Sequence, residues 1–124
     1  MLGNNRAFSS ISVDNIDTAK EFYGNVLGLK IGTNPGPMMV EANGCTIMVY
    51  SKADHVPASF TVLNFSVDDV EATVDALIAK GITFEQYNLG ESSTDSKGIM
   101  IGHSGKIAWM KDPAGNIISI LTGM

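Results

Sequence analysis

The chain has 124 residues, the size of one ordinary domain or of two small modules that share a core. Apolar residues make up 44% of the chain and charged residues 17%, a globular composition that excludes a disordered tail. Eight basic and 13 acidic residues give a net charge of −5, and this acidic balance argues against a nucleic-acid partner.

The residue pattern also excludes a membrane-spanning chain and a disulfide scaffold. No apolar run approaches the roughly 18 residues that a membrane helix needs, and the N-terminal residues lack the apolar core of a signal peptide. Cys45 is the only cysteine, so an intrachain disulfide is excluded, and we expect this residue to be small and buried. We therefore predict a cytoplasmic protein without a membrane partner.

The first half of the chain predicts a strand, a helix and three more strands. Residues 7–13 alternate in a way that is typical of a strand with one buried face. Asp14 or Asn15 would cap the helix that follows, and Gly28 would end it. The later strands are predicted at 29–33, 38–41 and 45–50. The dipeptide Asn43-Gly44 is a hairpin turn signal between the last two of them.

The second half restarts this order after a linker at 52–58, with one more strand predicted after its helix. A strand is predicted at 59–67, and Asp68 or Asp69 would cap a helix that Gly81 ends. The strands that follow are predicted at 82–87, 99–102, 107–111 and 117–121.

The two halves are interpreted as βαβββ modules of a single domain, at about 5–51 and 59–124. Ser12-Val13-Asp14 recurs 54 residues later as Ser66-Val67-Asp68, and the segment that begins at Gly44 has a counterpart 71 residues later at Gly115. Because the matches fall at equivalent points of one element order, they indicate a duplicated module.

Three segments, spread over nearly the whole chain, carry a family resemblance. They are Val13 with Phe22-Tyr23 and Leu27-Gly28-Leu29, then Phe65-Ser66-Val67-Asp68-Asp69-Val70, then Asp112-Pro113-Ala114-Gly115-Asn116. Together they resemble the vicinal oxygen chelate superfamily, which includes glyoxalase I, extradiol dioxygenases, and fosfomycin and bleomycin resistance proteins. The resemblance implies an α+β fold of two βαβββ modules whose curled mixed sheets form a cup, usually completed in a homodimer.

The resemblance also implies a divalent metal in that cup, held by His or Gln on the first strand and Glu on the fourth strand of each module. The residues at these positions are Phe8, Met48, Val62 and Ser119. Phenylalanine and valine have no donor atom, methionine is a soft donor, and a lone serine hydroxyl is a poor ligand. We therefore predict that the protein holds no metal and no other cofactor.

The same sheet face is the predicted ligand site. Strand alternation adds hydroxyl, amide and large apolar side chains to it, which is the composition of a small-molecule pocket. The predicted ligand-binding residues are Phe8, Ser10, Met48, Tyr50, Val62, Asn64, Trp109 and Ser119. The alternatives are a face filled by the dimer partner or by water, and a Trp109 that belongs to the core.

Two histidines are weighed as chemical groups. His103, in a turn with Ser104 and Gly105, is a candidate general base or a plain solvated residue. His55 lies in the linker and is interpreted as a surface residue. A rearranged metal site would combine both histidines with Asp95 or Glu91. The polar loop at 88–98 is interpreted either as a lid or as a mobile loop.

Three functions follow from these patterns. The favoured hypothesis is a metal-free small-molecule-binding protein of the bleomycin-resistance type that works as a homodimer. The second is a superfamily enzyme, a glyoxalase-type lyase, an isomerase or a dioxygenase, with displaced metal ligands. The third is a dimeric interaction scaffold.

Overall fold

The structure is a computed structural model that describes residues 1–32, 36–102 and 104–124. The chain divides into two compact units, Met1–Val56 and Pro57–Met124, which are called unit 1 and unit 2 below. In the described part of the chain, no helix has the length and apolar character needed to cross a membrane.

Unit 1 contains one four-stranded mixed sheet in the order β1-β4-β3-β2. Strand β1 runs parallel to β4, and the other two pairings are antiparallel. Its strands are β1 (Ser9–Val13), β2 (Lys30–Gly32), β3 (Met38–Ala42) and β4 (Cys45–Ser51). Its helices are a 3-10 turn (Leu2–Asn4), α1 (Ile16–Lys20) and a π-helical segment (Glu21–Val26) that continues α1.

Unit 2 repeats this topology with the sheet order β5-β8-β7-β6, in which β5 is parallel to β8. Its elements are β5 (Thr61–Ser66), α2 (Val70–Ala79), β6 (Ile99–Ile101), β7 (Lys106–Lys111) and β8 (Ile117–Leu121). The predicted α+β class and the βαβββ order of both modules are confirmed.

The helix caps resolve two alternatives that the sequence left open. Asn15 caps α1, because its Oδ1 accepts from the backbone nitrogens of Asp17 at 3.0 Å and Thr18 at 3.1 Å. Asp69 caps α2 by accepting from the Ala72 nitrogen at 3.0 Å. Side-chain oxygens at these positions accept hydrogen bonds from backbone amides that have no partner inside the helix.

Two expectations for local structure are wrong. Residues 82–87 do not form a strand, because β6 already pairs with β7 up to Ala108. In the described part of the chain, the backbone of this segment bonds to β7 through the Glu85 nitrogen and the Trp109 oxygen, at 2.9 Å. Cys45 is exposed rather than buried, because it lies directly after the turn at Asn43 and Gly44. That turn has φ of 48° and 85°, as the hairpin signal predicts.

The strand registers reproduce the internal repeat. Ser10 pairs with Met48 in unit 1, and Asn64 pairs with Ser119 in unit 2. The sequence offsets of 54 and 71 residues take the first pair onto the second. The two units are therefore equivalent residue by residue at the ends of their parallel strand pairs.

One face of each sheet forms the core. Strand alternation predicts nine apolar residues on the face opposite the ligand positions, and six of them are buried: Ile11, Val13, Ile47, Val49, Ile118 and Ile120. The other three, Leu63, Phe65 and Val67, are half-buried. In unit 2 this face packs against α2, whose Val70, Val74 and Leu77 are buried as well. The other face of each sheet carries the candidate site.

A buried turn fixes the alignment of β7 and β8. The Asp112 carboxylate, 4% exposed, accepts from the backbone nitrogens of Ala114 and Asn116 and from the Asn116 side chain, each at 2.9 Å. These bonds satisfy the polar groups of the turn inside the protein. The turn thereby holds Trp109 of β7 opposite Ser119 of β8.

Candidate functional site

A row of three predicted site residues crosses the sheet of unit 2. Asn64 on β5 pairs with Ser119 on β8, and Ser119 pairs with Trp109 on β7. Residues paired in register on neighbouring strands share one face of the sheet. The structure therefore brings these three predicted residues together.

The Ser119 hydroxyl is already engaged within this row. Ser119 is 0% exposed, and its Oγ donates a hydrogen bond to Oδ1 of Asn64. Asn64 itself is exposed at the sheet surface. In the described part of the chain its side chain has this one hydrogen bond, which leaves the amide nitrogen able to donate to a bound molecule.

A bulge in β5 changes the environment of Val62. Thr61 pairs with Ile117 and Leu63 pairs with Ile118, so one residue of β8 faces two residues of β5 at this point. Strand alternation predicts that Val62 and Asn64 share one face of the sheet, but the bulge interrupts this alternation. Thr61 takes the position next to Ile117, and Val62 is half-buried.

The matching face of unit 1 is partly apolar and partly exposed. Ser10, Met48 and Met39 form a row across β1, β4 and β3, and Ser12 pairs with Tyr50 in the next row. Met48 is half-buried, whereas Ser10 and Tyr50 are exposed. This face thus offers thioether, hydroxyl and phenol groups to a ligand.

Phe8 lies one residue before β1 and is 49% exposed. The guanidinium carbon of Arg6 lies 5.1 Å from the centre of the Phe8 ring. A cation at this distance is attracted to the ring face. Arg6 therefore covers part of the Phe8 ring, which is the group at the first-strand ligand position.

His55 is not the plain surface residue that its place in the linker suggests. Its ring Nδ1 lies 2.7 Å from the Ser12 hydroxyl, and the side chain is half-buried. The Lys52 nitrogen donates to the Val13 oxygen at 2.9 Å, which continues the parallel pairing of β4 with β1 by one bond. The hydrogen bond from Lys52 holds the pKa of Asp54, next to His55, below its usual value.

Trp109 lines a pocket of about 230 Å³ on unit 2. The Tyr87 ring meets the Trp109 ring edge to face, with ring centres 5.2 Å apart and planes at 77°. The lining residues are Ser59, Phe60, Thr61, Tyr87, Leu89, Trp109 and Ile117. The sequence left Trp109 open between a pocket wall and the core; its side chain is half-buried and lines this pocket.

The comparisons with known proteins match this architecture. The family model described as Glyoxalase/Bleomycin resistance protein/Dioxygenase superfamily matches residues 7–120. The chain belongs to this superfamily. No curated protein matches the chain by sequence.

Solved structures of the superfamily and of similar proteins share the fold. A genomically encoded fosfomycin resistance protein, FosX, from Listeria monocytogenes has a TM-score of 0.71 at 10% identity, with 98% of this chain and 94% of that chain covered. Lactoylglutathione lyase from Agrobacterium tumefaciens has a TM-score of 0.66 at 17% identity, over 96% and 94% of the two chains. An integron cassette protein from V. cholerae has a TM-score of 0.67 at 22% identity, over 98% and 96%. At these identities the likeness shows the fold alone.

The residues at the superfamily's metal positions do not fit a divalent ion. Phe8 and Val62 have no donor atom, and the Ser119 hydroxyl is committed to Asn64. Within residues 1–32, 36–102 and 104–124, no three His, Cys, Asp or Glu side chains lie close enough together to hold a metal.

The rearranged metal site has no support from its described members. The Asp95 carboxylate accepts hydrogen bonds from the backbone nitrogens of Lys97 and Ile99, each at 2.9 Å. These bonds engage the carboxylate within its own loop. His55 is bonded to Ser12, as described above. His103, the candidate general base, lies outside the described residues.

The hydrogen bond between Ser119 and Asn64 generates a stability prediction. Asn64→Ala should lower the free energy of unfolding by about 2 kcal/mol, because it leaves the buried Ser119 hydroxyl without its acceptor. Ser119→Ala should cost about 1 kcal/mol or less, since the exposed Asn64 amide can turn to water. Equilibrium denaturation in urea measures both changes.

The matched control is Ser10→Ala, which alters the position equivalent to Asn64 in unit 1. Ser10 is exposed, so this change should stay within about 0.5 kcal/mol of the wild type. Equal losses for Asn64→Ala and Ser10→Ala would show that the bond to Ser119 contributes nothing to stability.

Proposed function

We propose that the protein is a metal-free small-molecule-binding protein of the bleomycin-resistance type. The observation that carries the proposal is the chemistry of the four superfamily ligand positions, which hold Phe8, Met48, Val62 and Ser119. The only oxygen donor among them is buried and bonded to Asn64. A ligand would therefore meet apolar surface and neutral donors where the metal-dependent relatives supply a cation.

The sheet faces suit such a ligand. Ser10, Tyr50 and Asn64 are exposed and neutral, so they can orient polar groups of a bound molecule. Phe8, Met48 and Trp109 supply aromatic and thioether contact area, which favours flat or flexible apolar molecules over highly charged metabolites. The superfamily's name includes bleomycin resistance proteins, and binding without chemistry is the function we assign to this chain.

The first prediction of this proposal concerns metal content. The purified protein should carry no stoichiometric divalent cation, because three of the four ligand positions hold Phe8, Met48 and Val62. Elemental analysis after dialysis against chelator-free buffer measures the metal content per chain. One tightly held Zn, Ni, Mn or Fe per chain would contradict the proposal and would favour a histidine-based site.

The second prediction concerns the ligand. A thermal-shift screen of metabolites and antibiotics should find compounds that stabilise the wild type, and a ligand at 100 times its Kd adds about 2.7 kcal/mol. The stabilisation should fall in Phe8→His, Tyr50→Ala and Asn64→Ala, which change exposed groups of the proposed site. Ser119→Glu is unsuitable for this screen, because a carboxylate at this buried position would destabilise the fold whether or not a ligand binds.

Leu2→Ala is the control for the screen. Leu2 is exposed and lies outside the sheets, so this variant should keep the full ligand effect. Compounds that stabilise all variants equally would place the ligand elsewhere. A dimer that binds nothing in the screen would favour the interaction scaffold.

The third prediction concerns assembly. Strands β1 and β2 are the edges of one sheet, and β5 and β6 are the edges of the other. Strand edges are normally paired or covered, so we propose a two-fold homodimer. Light scattering should give twice the 13.1 kDa chain mass at micromolar concentrations, whereas a monomer mass throughout would contradict the dimer.

The second candidate function is a superfamily enzyme with displaced metal ligands. One observation favours it: His55 is hydrogen-bonded to Ser12 at 2.7 Å. Ser12 lies in the strand row next to that of Ser10 and Met48. A histidine hydrogen-bonded to a hydroxyl has the contact that a general base needs. Metal-independent turnover of a screened compound that His55→Gln abolishes would select the enzyme over the binding protein.

A further inference from the structure

The pocket on unit 2 that contains Trp109 opens on the sheet face described above. Trp109 lies in the row of Ser119 and Asn64, and Ile117 and Thr61 form the next row toward the pocket. The inference below rests on the proposed function, because it names the class of molecule that this end of the face would bind.

The walls of the pocket are held in place before any ligand arrives. The Tyr87 nitrogen bonds to the Thr94 hydroxyl at 2.9 Å, and the Thr94 nitrogen bonds to the Tyr87 oxygen at 2.9 Å. The Leu89 nitrogen bonds to the Ser92 oxygen at 2.7 Å, so residues 87–94 form a turn closed by its own hydrogen bonds. Because these walls are already ordered in the free protein, ligand binding loses less free energy to ordering them.

The rim of the pocket exposes large apolar side chains to water. Phe60 is 67% exposed and Leu89 is 66% exposed, although both line the pocket. A molecule seated between them would remove this apolar surface from water, which is favourable. Together with the Tyr87 and Trp109 rings and Ile117, these side chains make the lining mainly apolar, and three of them are aromatic.

The charge and size of the pocket limit the ligand. None of the seven lining residues carries a charge at neutral pH. Lys111, which the strand register places opposite the lining residue Ile117, pairs with Glu85 at 3.4 Å. An ion would lose its hydration here without gaining a partner. The volume of about 230 Å³ lies below the usual range for drug-sized ligands, so a single ring or a fused pair of rings fits.

We propose that this pocket binds an uncharged, planar aromatic molecule of one or two fused rings, whose polar substituent is held by the Ser59 or Thr61 hydroxyl. Three of the seven lining side chains, Phe60, Tyr87 and Trp109, are aromatic. Aromatic rings pack against one another in stacked or edge-to-face arrangements that a saturated ring does not reproduce. The hydroxyls give a neutral polar group a partner at the edge of the pocket.

The test uses 2-naphthol as the probe and isothermal titration calorimetry on the full chain. The wild type should bind 2-naphthol saturably. It should bind 2-naphthoate, which adds a charge, and decahydro-2-naphthol, which loses planarity, at least about tenfold more weakly. The double variant Phe60→Ser/Leu89→Ser should weaken 2-naphthol binding by about tenfold, because it removes two exposed apolar contacts without opening the core.

Ile101→Ser is the matched control, since Ile101 is an equally exposed apolar residue of unit 2 at 74% and lies outside the pocket lining. It should change the 2-naphthol affinity less than about twofold. Equal binding of 2-naphthol and 2-naphthoate, or an affinity unchanged in the double variant, would overturn the proposal. So would a dimer that dissociates in Phe60→Ser/Leu89→Ser, because the rim would then be a subunit contact.

The proposal and the proposed function can fail separately. If screened compounds bind in a manner that Asn64→Ala and Tyr50→Ala weaken, while 2-naphthol does not bind, the aromatic class is wrong and the binding function stands. If 2-naphthol binds and needs Phe60 and Leu89, the pocket is supported even where the metal analysis contradicts the wider proposal.

Discussion

Each unit of the fold depends on a parallel pairing between its first and last strands. β1 pairs with β4, and β5 pairs with β8. A parallel pair cannot be joined by a tight turn, so the chain must pass through a helix and two other strands before it returns. This pairing is what brings Asn64 and Ser119 together across 55 residues of sequence. The two faces of each sheet, one core and one candidate site, follow from the same register.

The substitutions at the superfamily's metal positions change the electrostatics of that face. Carboxylates held close together repel one another, and a bound cation relieves this repulsion. Here the positions are neutral, and the one hydroxyl among them finds its acceptor in Asn64. The buried Ser119 hydroxyl is therefore satisfied without an ion. This hydrogen bond is the physical basis of the binding function proposed above.

Local patterns predicted most of the fold, because caps, hairpin turns and strand alternation act over a few residues. The βαβββ order, the turn at Asn43 and the buried Ile and Val face are examples. The errors arose where distant parts of the chain compete. Residues 82–87 have a strand-like sequence, but β6 already occupies most of the edge of β7.

The candidate site was predictable only in part. The alignment of Asn64 with Ser119 followed from strand periodicity and family motifs. Trp109 was left open between a pocket wall and the core, and the bulge at Val62 is a register shift with no signal in the sequence. The bond between Ser12 and His55 joins residues 43 positions apart, so no local sequence pattern predicts it. The aromatic pocket was missed for the same reason, since Phe60 lies directly before β5 and Leu89 lies in the polar loop.

Trp109 is the only tryptophan of the chain, and it lies in unit 2. Its emission therefore reports on the second half of the duplicated chain alone, whereas far-ultraviolet circular dichroism records the helices and strands of both halves. Coincident denaturation curves from the two signals would mean that the repeats melt as one cooperative body. Separated curves would mean that the two repeats unfold independently. Each repeat could then accumulate substitutions without destabilising the other.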